Sequence, residues 1–198
     1  ERKILFVEGG YWLICDRLSA TEEHRYDLLF HLSTLAQNLV ETLLSEEGTT
    51  VASPQLLVCQ TFDPDTQVAV DAGYVSHVYG RKQAAPIVRF TRHATNHCFY
   101  TLLYPFKRQP PRIAFRQLKV SDDSQLVSTY DASALEVRIE QGGVTRMDRI
   151  YLSHRPGPFN VNDRTFGDEV VLERVYTEAN GGLSKDAYSI ATGRGQQG

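Results

Sequence analysis

Residues 8–33 read EGGYWLICDRLSATEEHRYDLLFHLS, two alternating runs on either side of the polar stretch ATEE. A turn centred on Ala20–Thr21 would place the two runs side by side as an antiparallel hairpin. One face of that hairpin is then wholly apolar, with Tyr11 opposite Phe30, Leu13 opposite Leu28 and Cys15 opposite Tyr26. A slip of one residue would mix polar with apolar side chains, so the pattern favours this register.

The second face of the predicted hairpin carries Trp12, Ile14 and Leu29 among polar residues. Three large apolar side chains on a half-polar face indicate that another layer covers it. If that natural cover is missing from this chain, we expect the three side chains to form an exposed apolar patch.

Short β-rich runs, separated by glycine pairs and prolines, continue along the rest of the chain. They predict an all-β protein of two stacked antiparallel sheets, a β-sandwich. Residues 35–44 differ, because they would place one apolar stripe on a helix after the possible caps Ser33 and Thr34. This segment predicts either a short helix or an irregular strand. The stripe consists of Leu35, Leu39, Val40, Leu43 and Leu44.

No polar linker divides residues 1–190, so we expect a single domain there. The residues that follow, 191–198, offer nothing to bury and are expected to form a flexible tail.

The composition is that of an ordinary globular protein of 198 residues, 41% hydrophobic and 23% charged, with a net charge of −3. This charge argues against nucleic acid or an anionic membrane as a partner. No apolar stretch reaches the ~20 residues of a membrane-spanning helix. The three cysteines lack disulfide or zinc spacing and lie in apolar runs, so we expect buried thiols at Cys15, Cys59 and Cys98.

Three histidines bear on metal binding. His93 and His97 are four residues apart, which is about 13 Å along a strand and too far for one zinc ion. His31 ends the second run of the predicted hairpin, opposite Gly10, where an adjacent strand could bring a further ligand. From the residues alone, His31 is either a structural histidine or a metal ligand.

The nucleophile elbow, the phosphate loop and the dinucleotide fingerprint are all missing from the sequence. Ten tyrosines and several basic residues could instead stack sugar rings and pair with carboxylates or sulfates. The basic residues are Arg81, Lys82, Arg89, Arg92, Lys107, Arg108 and Arg112. The alternative is an aromatic core that includes Tyr11, Tyr26 and Tyr100, with solvated charges in the turns.

Three segments have an informative order: YWLICDRL followed by a strand ending in FHL, then GYVSHVYGRKQAAPIVRF, then CFYTLLYPF. They resemble, in turn, a Tyr-Trp-hydrophobic-Asp-Arg strand, a Tyr-Gly segment before a proline and a strand, and a Thr-x-hydrophobic-x-Pro strand. Those elements occur in the C-terminal β-sandwich of the heparinase II/III-like polysaccharide lyases. The resemblance covers about residues 3–106.

The resemblance implies β-elimination on an acidic polysaccharide such as a glycosaminoglycan. A base removes the C5 proton of a uronic acid, and an acid assists departure of the 4-linked sugar. In this family a helical toroid, N-terminal in the same chain, supplies most of the catalytic groups. The present chain would therefore pack on the toroid and wall one side of the cleft. No catalytic residue can be assigned in this sequence, and the chain alone is expected to be inactive.

The resemblance also implies a structural metal, zinc, held by an aspartate and histidines from different strands. The unit Phe30-His31-Leu32 matches the position of one ligand, so His31 is the candidate metal ligand. The other ligands would lie ahead of Glu1, and this chain by itself need not bind the metal. Family members are commonly bacterial and periplasmic or secreted. Two alternatives stay open, a non-catalytic carbohydrate-binding module and a structural or protein-interaction β-sandwich.

Overall fold

The computed structural model describes residues 1–8, 10–123, 125–162, 164–167, 169–177 and 183–191. Sixteen β-strands and one short 3₁₀ helix, Thr34–Ala36, are found among these residues. The strands are β1 Arg2–Val7, β2 Tyr11–His31, β3 Glu41–Ser45, β4 Gly48–Ser53, β5 Leu56–Gln60, β6 Gln67–Val78, β7 Arg81–Pro105, β8 Arg112–Leu118, β9 Ser121–Asp122, β10 Gln125–Leu126, β11 Ala132–Gln141, β12 Val144–Ser153, β13 Phe159–Val161, β14 Arg164–Phe166, β15 Glu169–Thr177 and β16 Leu183–Ala191. The predicted all-β class of packed antiparallel sheets is confirmed.

Residues 35–44 do not form the short helix that was one of the two predictions for them. The Ser33 hydroxyl accepts a hydrogen bond from the Leu35 backbone N–H, but the 3₁₀ turn it caps ends at Ala36. Asn38 then takes a positive φ of 60°, a conformation that an α-helix cannot continue through. The leucines of the supposed stripe are exposed, so no tertiary packing stabilises a helix there.

The predicted hairpin at Ala20–Thr21 is wrong, because residues 11–31 form the single strand β2. Both of its halves pair with β7, from Trp12 opposite Leu103 to His31 opposite Ile87. The polar stretch between the two runs forms a bulge at residues 19–24 rather than a turn. The predicted partners Tyr11 and Phe30 consequently lie on opposite faces of one strand.

The first compact unit, residues 1–110, is a sandwich made from one seven-stranded antiparallel sheet. Phe90 and Phe99 are nine residues apart on β7, about 30 Å on a straight strand, yet both belong to one apolar cluster. The long strands β2 and β7 therefore bend and continue from one layer into the other. The cluster between the layers consists of Leu28, Leu32, Ala36, Val51, Val58, Val88, Phe90 and Phe99.

The two layers of this unit contain different strands. The first layer contains β1, the first half of β2, the second half of β7, and then β5, β4 and β3 in that order. The second layer contains the second half of β2, the first half of β7, and β6.

The second compact unit, residues 111–198, contains a five-stranded sheet in the order β16-β15-β12-β11-β8 and a four-stranded sheet in the order β10-β9-β13-β14. Tyr151, Phe159 and Phe166 pack between these two sheets. The ring centroid of Phe166 lies 5.3 Å from that of Tyr151 and 5.6 Å from that of Phe159.

The chain thus divides into two compact units. Whether residues 1–190 act as the single domain predicted from the sequence is not decided by this division, and that domain stays a prediction. The predicted tail, 191–198, lies outside the described residues except for Ala191. The described part of the chain contains no helix with the length and hydropathy that a membrane crossing requires.

Candidate functional site

The second layer has an outward face on which polar side chains alternate with the core residues. Leu28, Val88 and Phe90 point into the sandwich, so their neighbours along each strand point away from it. Side chains from β2, β7 and β6 form rows across this face. His31, Ile87 and Asp71 form one row, Leu29, Arg89 and Ala69 the next, and Asp27, Thr91 and Gln67 a third.

The charges on the outward face neutralise one another in pairs. Arg89 donates from Nε and Nη2 to the two carboxylate oxygens of Asp71, at 2.7 and 3.2 Å. Asp27 accepts from the Thr91 hydroxyl at 2.5 Å and from the Arg25 guanidinium at 3.2 Å. The hydrogen bond from Thr91 lowers the pKa of Asp27, and Arg25 acts in the same direction. The lowered pKa favours the ionised form of Asp27, which accepts hydrogen bonds rather than donating a proton.

His31, the candidate metal ligand, is exposed at the end of β2. Its strand partner is Ile87, not the predicted Gly10, because β2 pairs with β7 instead of folding back on itself. Asp71 lies one strand further along the same row, but its carboxylate is engaged by Arg89. The described residues include no group of three histidines, cysteines, aspartates or glutamates that could hold a metal. His31 is the one candidate ligand that these residues supply, and its role as a metal ligand stays a prediction.

His93 and His97 both lie on the continuous strand β7, as the spacing argument assumed. His93 is exposed, opposite Arg25. The ring of His97 packs edge-on against Phe99, with 4.4 Å between ring centroids. Burial lowers the pKa of His97, so its neutral form is favoured.

The three cysteines are buried free thiols, which confirms the prediction. Burial raises the pKa of the Cys59 thiol to about 12. The hydrogen bond with Cys98 raises the pKa of Cys15, and burial acts in the same direction. The raised pKa values make Cys15 and Cys59 poor nucleophiles at neutral pH.

The three tyrosines expected in the core are placed as predicted. Tyr11 and Tyr100 are fully buried. Tyr26 is partly buried beside the apolar cluster, and its hydroxyl donates to the Thr95 carbonyl oxygen. Tyr11 and Tyr100 are thus unavailable to a sugar.

Six of the seven basic residues fall into two groups, and the seventh, Arg112, is exposed at the start of β8. Arg89 and Arg92 form ion pairs, the latter with Asp63 and Asp65 at 3.3 and 3.0 Å. Arg81, Lys82, Lys107 and Arg108 are exposed and form no ion pair with a described carboxylate.

The first of these exposed pairs lies on the hairpin formed by β6 and β7. Its tip, Tyr74–Gln83, also exposes Tyr74 and Tyr79, which the interpretation of the sequence did not single out. A signal for them was present: residues 72–110 contain six lysines and arginines but no aspartate or glutamate.

The predicted patch of Trp12, Ile14 and Leu29 does not exist as one surface. Ile14 is buried, and Trp12 and Leu29 lie in different layers of the sandwich. Trp12 instead contacts Phe6, with 5.2 Å between ring centroids. Phe6 is 64% exposed and Ile4 is 60% exposed. We call Ile4, Phe6 and Trp12 the β1–β2 patch.

Comparison with known proteins identifies one family. Residues 1–116 match the model of the family described as heparinase II/III-like, C-terminal. No curated protein matches the chain significantly. No solved structure does so either. Since the match covers more than half of the chain and the whole compact unit 1–110, the chain belongs to the heparinase II/III-like C-terminal family.

Proposed function

We propose that this chain is the C-terminal β-sandwich of a lyase that cleaves uronic-acid-containing polysaccharide by β-elimination. The family match over residues 1–116 carries the proposal. The match includes every residue of the first compact unit, so it concerns a complete structural element rather than a short motif. The chain's own part is to pack on a helical toroid and to wall one side of the sugar cleft.

We expect the toroid to supply the reacting groups. β-Elimination requires a positioned base for the C5 proton, an acid for the leaving oxygen, and donors that stabilise the developing enediolate. On the outward face, Asp27 and Asp71 are occupied by hydrogen bonds and ion pairs. The described thiols are buried. These groups are suited to holding the fold and the cleft wall, so we expect the 198-residue chain to form no product alone.

The β1–β2 patch supports the packing role. Large apolar side chains on an edge strand are unfavourable in water, and an edge strand left open also invites pairing with other chains. The rings of Phe6 and Trp12 contact each other across β1 and β2, tilted by 46°, which gives an apolar surface of aromatic character. We assign this surface to contact with the toroid of the same protein.

An assay of the full-length gene product tests the proposal. We expect it to release oligosaccharides ending in a C4–C5 unsaturated uronate, detected by ultraviolet absorbance and mass spectrometry, whereas the 198-residue chain releases none. Products without the double bond would contradict the proposal. A binding module would bind sugar as the 198-residue chain without any lyase activity in the full-length protein, and a structural sandwich would show neither property.

We also propose His31 as a metal ligand of the full-length protein. The His31→Ala variant is then expected to contain less metal than the wild-type protein by elemental analysis and to melt at a lower temperature. The His93→Ala variant is the matched control, because His93 is also exposed on the outward face. Equal metal content in wild type and His31→Ala would make His31 a surface histidine of the strand end.

A further inference from the structure

The β6–β7 hairpin extends beyond the sheet that anchors it. β2 ends opposite Ile87, so from Ala85 to the turn β6 is the only partner of β7 among the strands that the structure describes. The pairing continues to Val78 opposite Arg81, with a bulge after Val75. Gly80 completes the turn with a φ of +76°, a conformation that glycine adopts without strain. The tip is thus a two-stranded ribbon whose side chains reach solvent.

The base of the ribbon is packed. Gly73 is buried opposite Ala85, and a side chain on Gly73 would collide with that of Ile87. Ile87 therefore lies across the glycine and closes the junction between ribbon and sheet. A packed base fixes the direction of the ribbon, so groups at its tip keep a defined position relative to the outward face.

The tip presents two tyrosines to solvent. Tyr79 is fully exposed, and Tyr74 is 56% exposed. The Nζ atom of Lys82 lies 4.0 Å from the centroid of the Tyr74 ring, which places the cation over its face. Charged side chains on an exposed ribbon can be explained because they keep its open edges from pairing with other chains. Exposed tyrosines do not have that effect, so they require another explanation.

The electrostatics of the tip favour an anionic ligand. Arg89 and Arg92, further along β7, are neutralised by aspartates, whereas Arg81 and Lys82 form no ion pair with a carboxylate among the described residues. The chain as a whole carries a net charge of −3. The tip is therefore a local cationic site, with planar rings beside it, on an acidic protein.

We propose that the tip of the β6–β7 hairpin binds the acidic polysaccharide. Tyr74 and Tyr79 contact the apolar faces of sugar rings, and Arg81 and Lys82 pair with uronate carboxylates. The chemical class of this ligand rests on the proposed function, because an acidic polysaccharide is the substrate expected for the family. A tyrosine ring combines a wide apolar surface with a polar hydroxyl, which suits a sugar that has both characters.

The test compares two charge-matched variants of the 198-residue chain. The hairpin variant carries Arg81→Gln and Lys82→Gln, and the control carries Lys107→Gln and Arg108→Gln, an adjacent exposed pair outside the hairpin. Affinity for heparan sulfate and for polygalacturonate is measured by calorimetry at low salt, with dextran as a neutral polysaccharide. We expect the hairpin variant to lose about threefold to tenfold in affinity, and the control to lose less than twofold.

Tyr79→Ser gives a second measurement. We expect it to weaken binding to at least one acidic polysaccharide without changing the melting temperature, because the side chain is fully exposed. An equal loss in the two charge variants would overturn the proposal in favour of general charge attraction. The absence of binding by the wild-type chain would also overturn it.

The outcomes for the hairpin and for the lyase are separable. If the full-length protein forms unsaturated product but the hairpin variant and the wild-type chain bind the acidic polysaccharides equally, the hairpin proposal fails and the lyase stands. If hairpin-dependent binding occurs but no unsaturated product forms, the lyase proposal fails and the hairpin is a binding site of a non-catalytic protein.

Discussion

Replacing Phe90 with alanine is expected to lower the free energy of unfolding by about 3–5 kcal/mol. Phe90 is buried between the two layers of the first sandwich and pairs with Leu28 on β2 and Val68 on β6. Its ring contacts that of Phe30 edge-on, with 6.4 Å between centroids. The substitution removes the ring from the apolar cluster between the two layers. It also leaves a cavity that the surrounding side chains fill only in part. Denaturant unfolding followed by fluorescence and circular dichroism measures the loss.

Phe62→Ala is the matched control, because Phe62 is 46% exposed in the loop after β5. Its loss is expected to stay below about 1 kcal/mol. Similar losses for the two variants would contradict a sandwich core centred on Phe90, and therefore the bending of β2 and β7 from layer to layer.

The second large effect is expected in the second compact unit, where Asp148→Asn should cost about 3–5 kcal/mol. Asp148 is fully buried, and Arg174 donates to both of its carboxylate oxygens at 2.7 and 2.9 Å. Arg146 approaches the same carboxylate at 3.5 Å. Asparagine keeps the size of the side chain but removes its charge, so the buried Arg174 guanidinium loses the carboxylate to which it donates.

Glu140→Gln is the control for this loss. Glu140 pairs with Arg138 at 2.6 Å, but Arg138 is exposed and Glu140 only partly buried, so removal of the charge is expected to change stability by less than about 1 kcal/mol. Thermal and denaturant unfolding of the two variants under the same conditions compares the pairs. A loss in Asp148→Asn no larger than in Glu140→Gln would show that the buried charge is compensated by other groups.

Alternation was enough to predict an all-β protein, but it did not reveal which strands pair. Tyr11, Leu13 and Cys15 share a buried face, as their spacing required. The hairpin failed because alternation in residues 11–31 fits pairing with any apolar strand, and ATEE is as acceptable in a bulge as in a turn. Strands of 21 and 25 residues are also far longer than the usual 3–10, so a local turn was the natural expectation.

The candidate site was predictable only in part. The sequence pointed to Arg81 and Lys82 as possible sugar contacts, and to His31 through the resemblance. It did not separate these two cations from Arg89 and Arg92, because the neutralising aspartates come from other elements. Tyr74 and Tyr79 are exposed because β6 and β7 continue beyond the point where β2 ends. This difference in strand length depends on distant parts of the chain, so the local sequence does not predict it.

The bending of β2 and β7 has a consequence for biosynthesis. β1 and the start of β2 can pair as soon as they leave the ribosome, since Val7 faces Tyr11 across a short turn. The pairing of β2 with β7 must wait, because Trp12 meets Leu103 only after some ninety further residues have been made. Pairings so distant in sequence form slowly, and until then the nascent strand exposes unpaired backbone to its neighbours.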